Sequence, residues 1–305
     1  MKRLLRPLSL VALLLTVPSF DIPPAAISPF ASGAPVVLDV PDEDPVKRFM
    51  EAASDSALTI LNGNLWMLPG GLSVDKEARI DRFVAYARRL MPDVITLQEV
   101  WTQDLVAYLK TRFPEFDVVA SGRGGLFNRG GLVTLTRMPV DSSAFTPFES
   151  HTAASLAEQQ AGKGYLIVRL RTPFFRACVV NTHLYAPFLA HEQALVEQQF
   201  ETLKRAGQAG YYFIVGDLNL ARPAFERLNG SFFVTEDDSS HTIDPANPYR
   251  RRGTNTHSPR NTERGKIDRL LMPRAFAAAF TLRAMLIREP VVSDHYLLAY
   301  RVEHP

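Results

Sequence analysis

The most constraining feature of this sequence is a series of short apolar runs that each stop on polar residues. Ile60-Leu61 leads into Asn62 and Asn64, Val94-Ile95-Thr96-Leu97 into Gln98-Glu99, and Val179-Val180 into Asn181-Thr182-His183. Phe213-Ile214-Val215 leads into Gly216-Asp217-Leu218-Asn219, Lys266-Ile267 into Asp268, and Val291-Val292 into Ser293-Asp294-His295. Apolar runs of this length read as strands. Many strands with only a few helices predict two packed sheets flanked by helices.

The pattern predicts strands over Leu58–Trp66, Asp93–Glu99, Asp117–Ala120, Gly131–Leu135, Tyr212–Asp217, Lys266–Met272, Leu282–Ile287 and Tyr296–Val302. Tyr165–Arg171 and Ala177–His183 read as a hairpin about Thr172-Pro173. Helices are expected over Ser73–Leu90, Asp104–Arg112 and His191–Ala206. In the first, Ile80, Val84 and Ala87 share a face, with Arg79, Arg82, Arg88 and Arg89 on others. The longest irregular stretch runs from Phe232 to Gly265, and a loop that long in a compact domain is expected to be functional or mobile. It contains the only dense basic run, Arg250-Arg251-Arg252, whose plain reading is a solvated charge cluster.

The N-terminus reads differently. Lys2, Arg3 and Arg6 precede an apolar run from Leu8 to Val17. That run fits a signal-peptide core and falls short of the ~20 residues of a membrane span. Residues 1–19 are therefore expected to direct export, with an uncleaved anchor as the alternative, and to be cut near Val17-Pro18-Ser19 or Ala31-Ser32-Gly33. Residues 20–55 read as a Pro- and Ala-rich linker with a short helix around Val46–Ala53, and 56–305 as one domain. The formal charge of +2 becomes −1 without the three basic groups of residues 1–19, so the overall positive field typical of a nucleic-acid binder is lacking. The single cysteine, Cys178, lies in an apolar run, which excludes an intramolecular disulfide and a multi-thiolate metal site.

If the strand ends converge, one site holds carboxylates, amides and imidazoles. Hard oxygen ligands suit Mg²⁺, with Mn²⁺ or Ca²⁺ as alternatives. Zinc is disfavoured, because the histidines lack close spacing and no thiolates assist. Cleaving a phosphodiester needs charge neutralisation, an activated water and a stabilised leaving group, which a metal with His and amide donors supplies. Each residue alone could cap a helix or close a turn. Six strand ends with the same chemistry are not accounted for by turns.

Gln98-Glu99-Val100, Thr182-His183-Leu184, Gly216-Asp217-Leu218-Asn219, Ile267-Asp268 and Ser293-Asp294-His295 together resemble the endonuclease/exonuclease/phosphatase superfamily over roughly residues 57–303. Within it the chain is most similar to neutral sphingomyelinases, through Asn62–Pro69, Leu97–Trp101, Gly162-Lys163-Gly164, and Asn181–Leu184 followed by Ala190-His191-Glu192. The resemblance implies an α+β fold, a four-layer α/β/β/α sandwich of two packed mixed sheets flanked by helices, as in DNase I. It implies Glu99 as the main metal ligand with Asn64 beside it, and Asp294 at the metal or just behind it. His295 would be the general base and Asp268 its orienting carboxylate. Asp217 and Asn219 would position water and phosphate oxygens, and His183 would stabilise developing charge or help the leaving group. Lys163 would contact the phosphate or be a solvated loop lysine.

Two stretches depart from that pattern: Tyr185-Ala186-Pro187, and the loop from Phe232 to Gly265. Met67-Leu68-Pro69 with Tyr185, Phe188 and Leu189 would touch lipid or pack beneath neighbouring loops. The function implied is an exported, Mg²⁺-dependent, sphingomyelinase-like phosphodiesterase acting on a phospholipid head group, with peripheral membrane contact. Nucleic acid is the less favoured substrate, and no protein partner is implied. The alternatives are a secreted nuclease of the same fold, an inositol phosphate or phosphoinositide phosphatase, and a non-catalytic binding protein.

Overall fold

A computed structural model describes residues 44–51, 56–122, 125–149, 155–187, 192–206, 211–230, 232–233, 241–253 and 262–304. The expected signal segment 1–19, most of the linker, and Phe188, Leu189 and His191 lie outside the described residues.

Twelve strands are described: β1 (Ala57–Met67), β2 (Val94–Val100), β3 (Asp117–Ala120), β4 (Val133–Thr136), β5 (Val140–Pro147), β6 (Gly164–Arg171), β7 (Arg176–His183), β8 (Tyr211–Asp217), β9 (Phe232–Phe233), β10 (Asp268–Pro273), β11 (Thr281–Ile287) and β12 (Leu297–Glu303). The helices are α1 (Pro45–Glu51), α2 (Lys76–Leu90), α3 (Gln103–Arg112), α4 (Leu156–Ala161), α5 (Gln193–Leu203) and α6 (Arg222–Leu228). One six-stranded sheet has the order β11-β12-β1-β2-β4-β3 and the other β5-β6-β7-β8-β10-β9. Both are mixed, with one parallel pair near the centre, β1 with β2 and β7 with β8.

Strand alternation divides the apolar residues between layers. Leu58 and Ile60 of β1 face the second sheet and join Val168, Val179, Phe213, Val215 and Leu270 in the central core. Leu61, Leu65 and Met67 face outward and pack with Ile80, Phe83, Val84 and Ala87 of α2. On the far side, Val180 and Ile214 pack with Val196, Phe200 and Leu203 of α5 and Phe225 of α6. The result is the four-layer α/β/β/α sandwich. Among the described residues no helix is long and apolar enough to cross a membrane.

The expected strands and long helices form, with ends shifted by a few residues. Four further elements have weak sequence signals, among them β9, only two residues long at the start of the stretch read as irregular. β5 is an edge strand carrying Asp141, Ser142 and Ser143 and ending at Pro147, so it lacks an apolar run. α4 and α6 are six and seven residues long, too short for periodicity to show.

Arg79 departs from its helix-face reading, because it is fully buried. Its guanidinium donates to the carbonyls of Leu65, Trp66, Val74 and Val292, and lies 5.0 Å from the Trp66 ring centroid and 5.3 Å from that of Tyr249. The pairing of β1 with β2 shifts register between Asn64 and Met67, and Trp66 has φ 49°. The displaced carbonyls need donors, and the planar fork of an arginine satisfies several at once.

The basic run of the long loop is also corrected. Arg250 is buried and ion-paired to Asp294, while Arg252 pairs with Asp75. This stretch contains a 3-10 turn over Pro248–Arg251 and a bridge between Ile243 and Gly265, and residues 234–240 and 254–261 lie outside the described set.

Candidate active site

Both parallel pairs deliver their C-terminal ends to the same edge of the sandwich. In register, His183 of β7 stands beside Asp217 of β8, and Asp217 beside Asp268 of β10. Three polar side chains thus form a row across one sheet. The row needs close strands at Gly216, whose φ is 146° and where a Cβ would meet the Thr182 carbonyl oxygen at 1.9 Å. Only glycine fits there.

The other sheet presents Asn64 and Glu99. Glu99 has φ 58°, a strained value for a glutamate that turns the chain at the end of its run. The Asn64 amide nitrogen donates to Glu99 Oε1 at 2.9 Å and to Asp217 Oδ2 at 3.0 Å, so one side chain ties the two sheets together at the site. Its oxygen accepts from the Trp66 backbone at 3.0 Å, which fixes the amide orientation. Just beneath, Gln98 Nε2 donates to Asn181 Oδ1 at 2.8 Å across the same gap.

His295 reaches the row from the segment before β12. Its Nδ1 lies 2.9 Å from Asp268 Oδ2 and 4.0 Å from Asp217 Oδ2. Thr242, which the sequence does not mark, holds the two halves of this pair together. Its hydroxyl accepts from the Ile267 and Asp268 backbones, and its carbonyl accepts from the Tyr296 backbone. Asn219, with φ 49°, donates its backbone N–H to Asp217 Oδ1 at 3.0 Å and its amide to the Leu184 carbonyl at 3.1 Å. An asparagine tolerates this left-handed backbone better than most residues.

Lys163 is buried rather than solvated. Its ammonium donates to Glu158 Oε1 at 2.9 Å and to the Leu184 carbonyl at 3.1 Å, and lies 3.1 Å from His183 Nε2. Asp294 accepts from Arg250 at 3.3 Å and from the Ser293 hydroxyl at 3.2 Å. Tyr185 and Met67 are buried, so neither faces outward to lipid; Leu68 and Pro69 are half-buried. Tyr185 instead donates its hydroxyl to Glu192 and accepts from the Ser155 backbone.

Four carboxyl groups therefore crowd one cleft. Burial and the nearby Asp294 push Glu99 up to about 7. Burial and Asp268 push Asp217 up to about 6. Burial alone would neutralise His295, but Asp268, Asp294 and Asp217 outweigh it and push it up to about 10. His183 is held well below the usual range by burial, with Lys163 and His295 adding to the effect. Two carboxyl groups held above their ordinary range mark a crowding that a divalent cation would relieve.

The residues fit such a cation. Donor atoms of Asp217, Asp268 and His295 come within 4.8 Å of one another, and Asp268 Oδ1 is buried without a hydrogen bond. Asp268 Oδ2 and His295 Nδ1 already bond each other, so they serve best as an acid–imidazole pair. Glu99 supplies hard oxygen donors beside them, whereas Asn64, expected as a second ligand, turns its oxygen to the Trp66 backbone and its nitrogen to Glu99 and Asp217, so it braces those carboxylates.

The backbone trace is similar to several solved structures. D. rerio TDP2 complexed with a single-strand DNA product matches at 18% identity and TM-score 0.63, covering 82% of this chain and 100% of that one. Sphingomyelinase C from Streptomyces griseocarneus matches at 18% identity and TM-score 0.62, covering 80% and 99%. A Staphylococcus aureus beta toxin matches at 16% and 0.62, covering 80% and 99%. At these identities the likeness is one of fold. No curated protein sequence matches significantly. The model of the Endonuclease/Exonuclease/phosphatase family matches residues 62–295, from just before Asn64 to His295, and on that match the chain belongs to this family of phosphodiesterases and related hydrolases.

Proposed function

We propose that this protein is an exported, divalent-metal-dependent phosphodiesterase that cleaves the head group of a phospholipid, in the manner of a sphingomyelinase. The phosphodiester chemistry rests on one observation: His183, Asp217 and Asp268 stand in adjacent register across one sheet, with His295 bonded to the last of them. The lipid class rests on the sphingomyelinase-like motifs and on the fold shared with Sphingomyelinase C.

Each side chain has a task set by its contacts. Asp268 holds the Nδ1–H of His295, so Nε2 is the nitrogen that would take a proton from the attacking water, once the charge of the carboxylates that keep the imidazole protonated is neutralised. The same carboxylate stabilises the imidazolium that results. Asp217, fixed by Asn64 and the Asn219 backbone, orients that water beside the base. His183 and Lys163 together face the charge that develops on the phosphoryl group and leaving oxygen. Glu99, its carboxylate braced by the Asn64 amide, would hold the cation, Mg²⁺ being the best match to its oxygens, and when bound it would supply charge withdrawal from the phosphoryl oxygens.

The test is a parallel assay of the purified protein with Mg²⁺ on sphingomyelin vesicles, phosphatidylcholine, phosphoinositides and plasmid DNA. Release of phosphocholine from sphingomyelin is expected. Plasmid cleavage without phosphocholine release would overturn the lipid class, and hydrolysis of none of the four would overturn the reading. Export by residues 1–19 is checked by N-terminal sequencing of protein recovered outside the cytoplasm, which should begin after residue 19 or 33.

A further inference from the structure

Among the described residues four large apolar side chains are strongly exposed: Met91, Leu126, Phe127 and Phe174. Met91 precedes β2 and Phe174 precedes β7, at the ends of those strands remote from the site. Leu126 and Phe127, 68% and 51% exposed, lie in the connection from β3 to β4. Val133 at the start of β4 pairs with Leu97 near the end of β2, so this connection lies at the edge where Glu99 emerges.

The connection is fastened on both sides of the site. The Asn128 backbone donates to the Trp101 carbonyl at 2.8 Å and its amide to the Val100 carbonyl at 2.7 Å, directly after Glu99. Gln103 donates its backbone to the Leu126 carbonyl and its side chain to the Phe127 carbonyl. On the opposite side the Gly130 backbone donates to the Ala161 carbonyl, two residues before Lys163. Exposed Arg129 lies across Gly162 on the same rim. A fixed backbone thus holds two adjacent apolar side chains outward, with a cation two residues away.

We propose that Leu126 and Phe127 seat the catalytic face on a phospholipid bilayer, with Arg129 meeting the lipid phosphates; this rests on the lipid reading of the site. Apolar groups that enter the acyl boundary beside a cation at the phosphate level are the chemistry by which a peripheral protein binds a bilayer. The position matches the need, because a lipid head group must pass from the bilayer to Glu99 and His295. Of the apolar residues marked by sequence, Met67 and Tyr185 are buried and cannot serve, Leu68 and Pro69 are half-buried, and Phe188 and Leu189 lie outside the described residues.

The test compares the wild type with the double variant L126S/F127S. Binding to vesicles of phosphatidylcholine and sphingomyelin is measured by co-sedimentation in EDTA, and hydrolysis is followed on vesicles and on soluble bis(p-nitrophenyl) phosphate. Vesicle binding should fall by about tenfold or more, vesicle hydrolysis should fall with it, and hydrolysis of the soluble ester should be unchanged. Equal vesicle binding by the two proteins would overturn the proposal. So would a wild-type dimer that the double variant dissociates, since the pair would then serve a second copy. Phe127→Trp provides an independent reading: its emission should shift to the blue on vesicle addition beyond any shift of the wild type, and no added shift would count against docking. Vesicle binding that depends on the pair, in a protein that cleaves DNA and not lipid, would leave the surface standing and remove the lipid reading.

Discussion

At the scale of single residues, the site is a concentration of negative charge that the fold tolerates for the sake of a ligand. Glu99 shows this best. Its carboxyl, ordinarily at 4.5, is pushed to about 7 by burial and Asp294. Between those values the folded protein keeps a proton that the unfolded chain has lost, so stability falls as pH rises through that window and the cost is complete above it. Glu99→Gln should therefore stabilise the metal-free protein at pH 8 by on the order of 1–3 kcal/mol in urea denaturation while abolishing hydrolysis. His183 has the opposite sign. Its pKa lies below the ordinary 6.5, so the unfolded chain takes up a proton that the folded one refuses, and stability is lost as pH falls below 6.5. The stability profile of His183→Gln should be flatter from pH 6.5 down to about pH 5. His295→Ala should reduce hydrolysis by about a hundredfold or more, as loss of a general base does.

At the scale of elements, the ends of β1, β2, β7 and β8 are kept in place by devices that apolar periodicity does not reveal. The Gly216 contact sets the spacing of β7 and β8, so Gly216→Ala should force His183 and Asp217 apart and lower kcat, with far-UV circular dichroism little changed. Arg79 anchors α2 to the bulged end of β1 and to Val292, three residues before His295. Arg79→Met should cost about 3 kcal/mol or more, because several buried carbonyls lose charged donors at once. Unchanged stability in that variant would refute the anchoring role. Neither device was legible as such: a glycine in Gly-Asp-Leu-Asn reads as a turn residue, and an arginine in a helix reads as a solvated face. Thr242 and Arg250 lie in a stretch whose composition says only loop, and their roles depend on partners 26 and 44 residues away.

At the scale of the whole molecule, the site lies between two sheets joined there by polar contacts, Asn64 to Asp217 and Gln98 to Asn181. A cation bound at that seam neutralises repulsion within each sheet and across the gap, so it should stabilise the entire sandwich. Mg²⁺ at a hundred times its dissociation constant should raise the unfolding free energy by about 2.7 kcal/mol. EDTA should remove that gain, and Glu99→Gln should lack it. A wild-type melting temperature indifferent to Mg²⁺, Mn²⁺ and Ca²⁺ would contradict a cation site at the seam.

The sequence by itself determined ten of the twelve strands, the flanking long helices and the polar residues at the strand ends, because apolar periodicity and the abrupt change to Asn, Asp, Glu and His are local properties of the chain. It also carried the family resemblance, since those motifs keep their order along it. Only the tertiary structure decided which strand ends meet. Register placed His183, Asp217 and Asp268 side by side, and sheet packing brought Asn64 and Glu99 opposite them. It decided too which apolar residues remain outside, burying Met67 and Tyr185 and exposing Leu126 and Phe127. Burial depends on what the rest of the chain brings to a residue, and a linear pattern does not contain that.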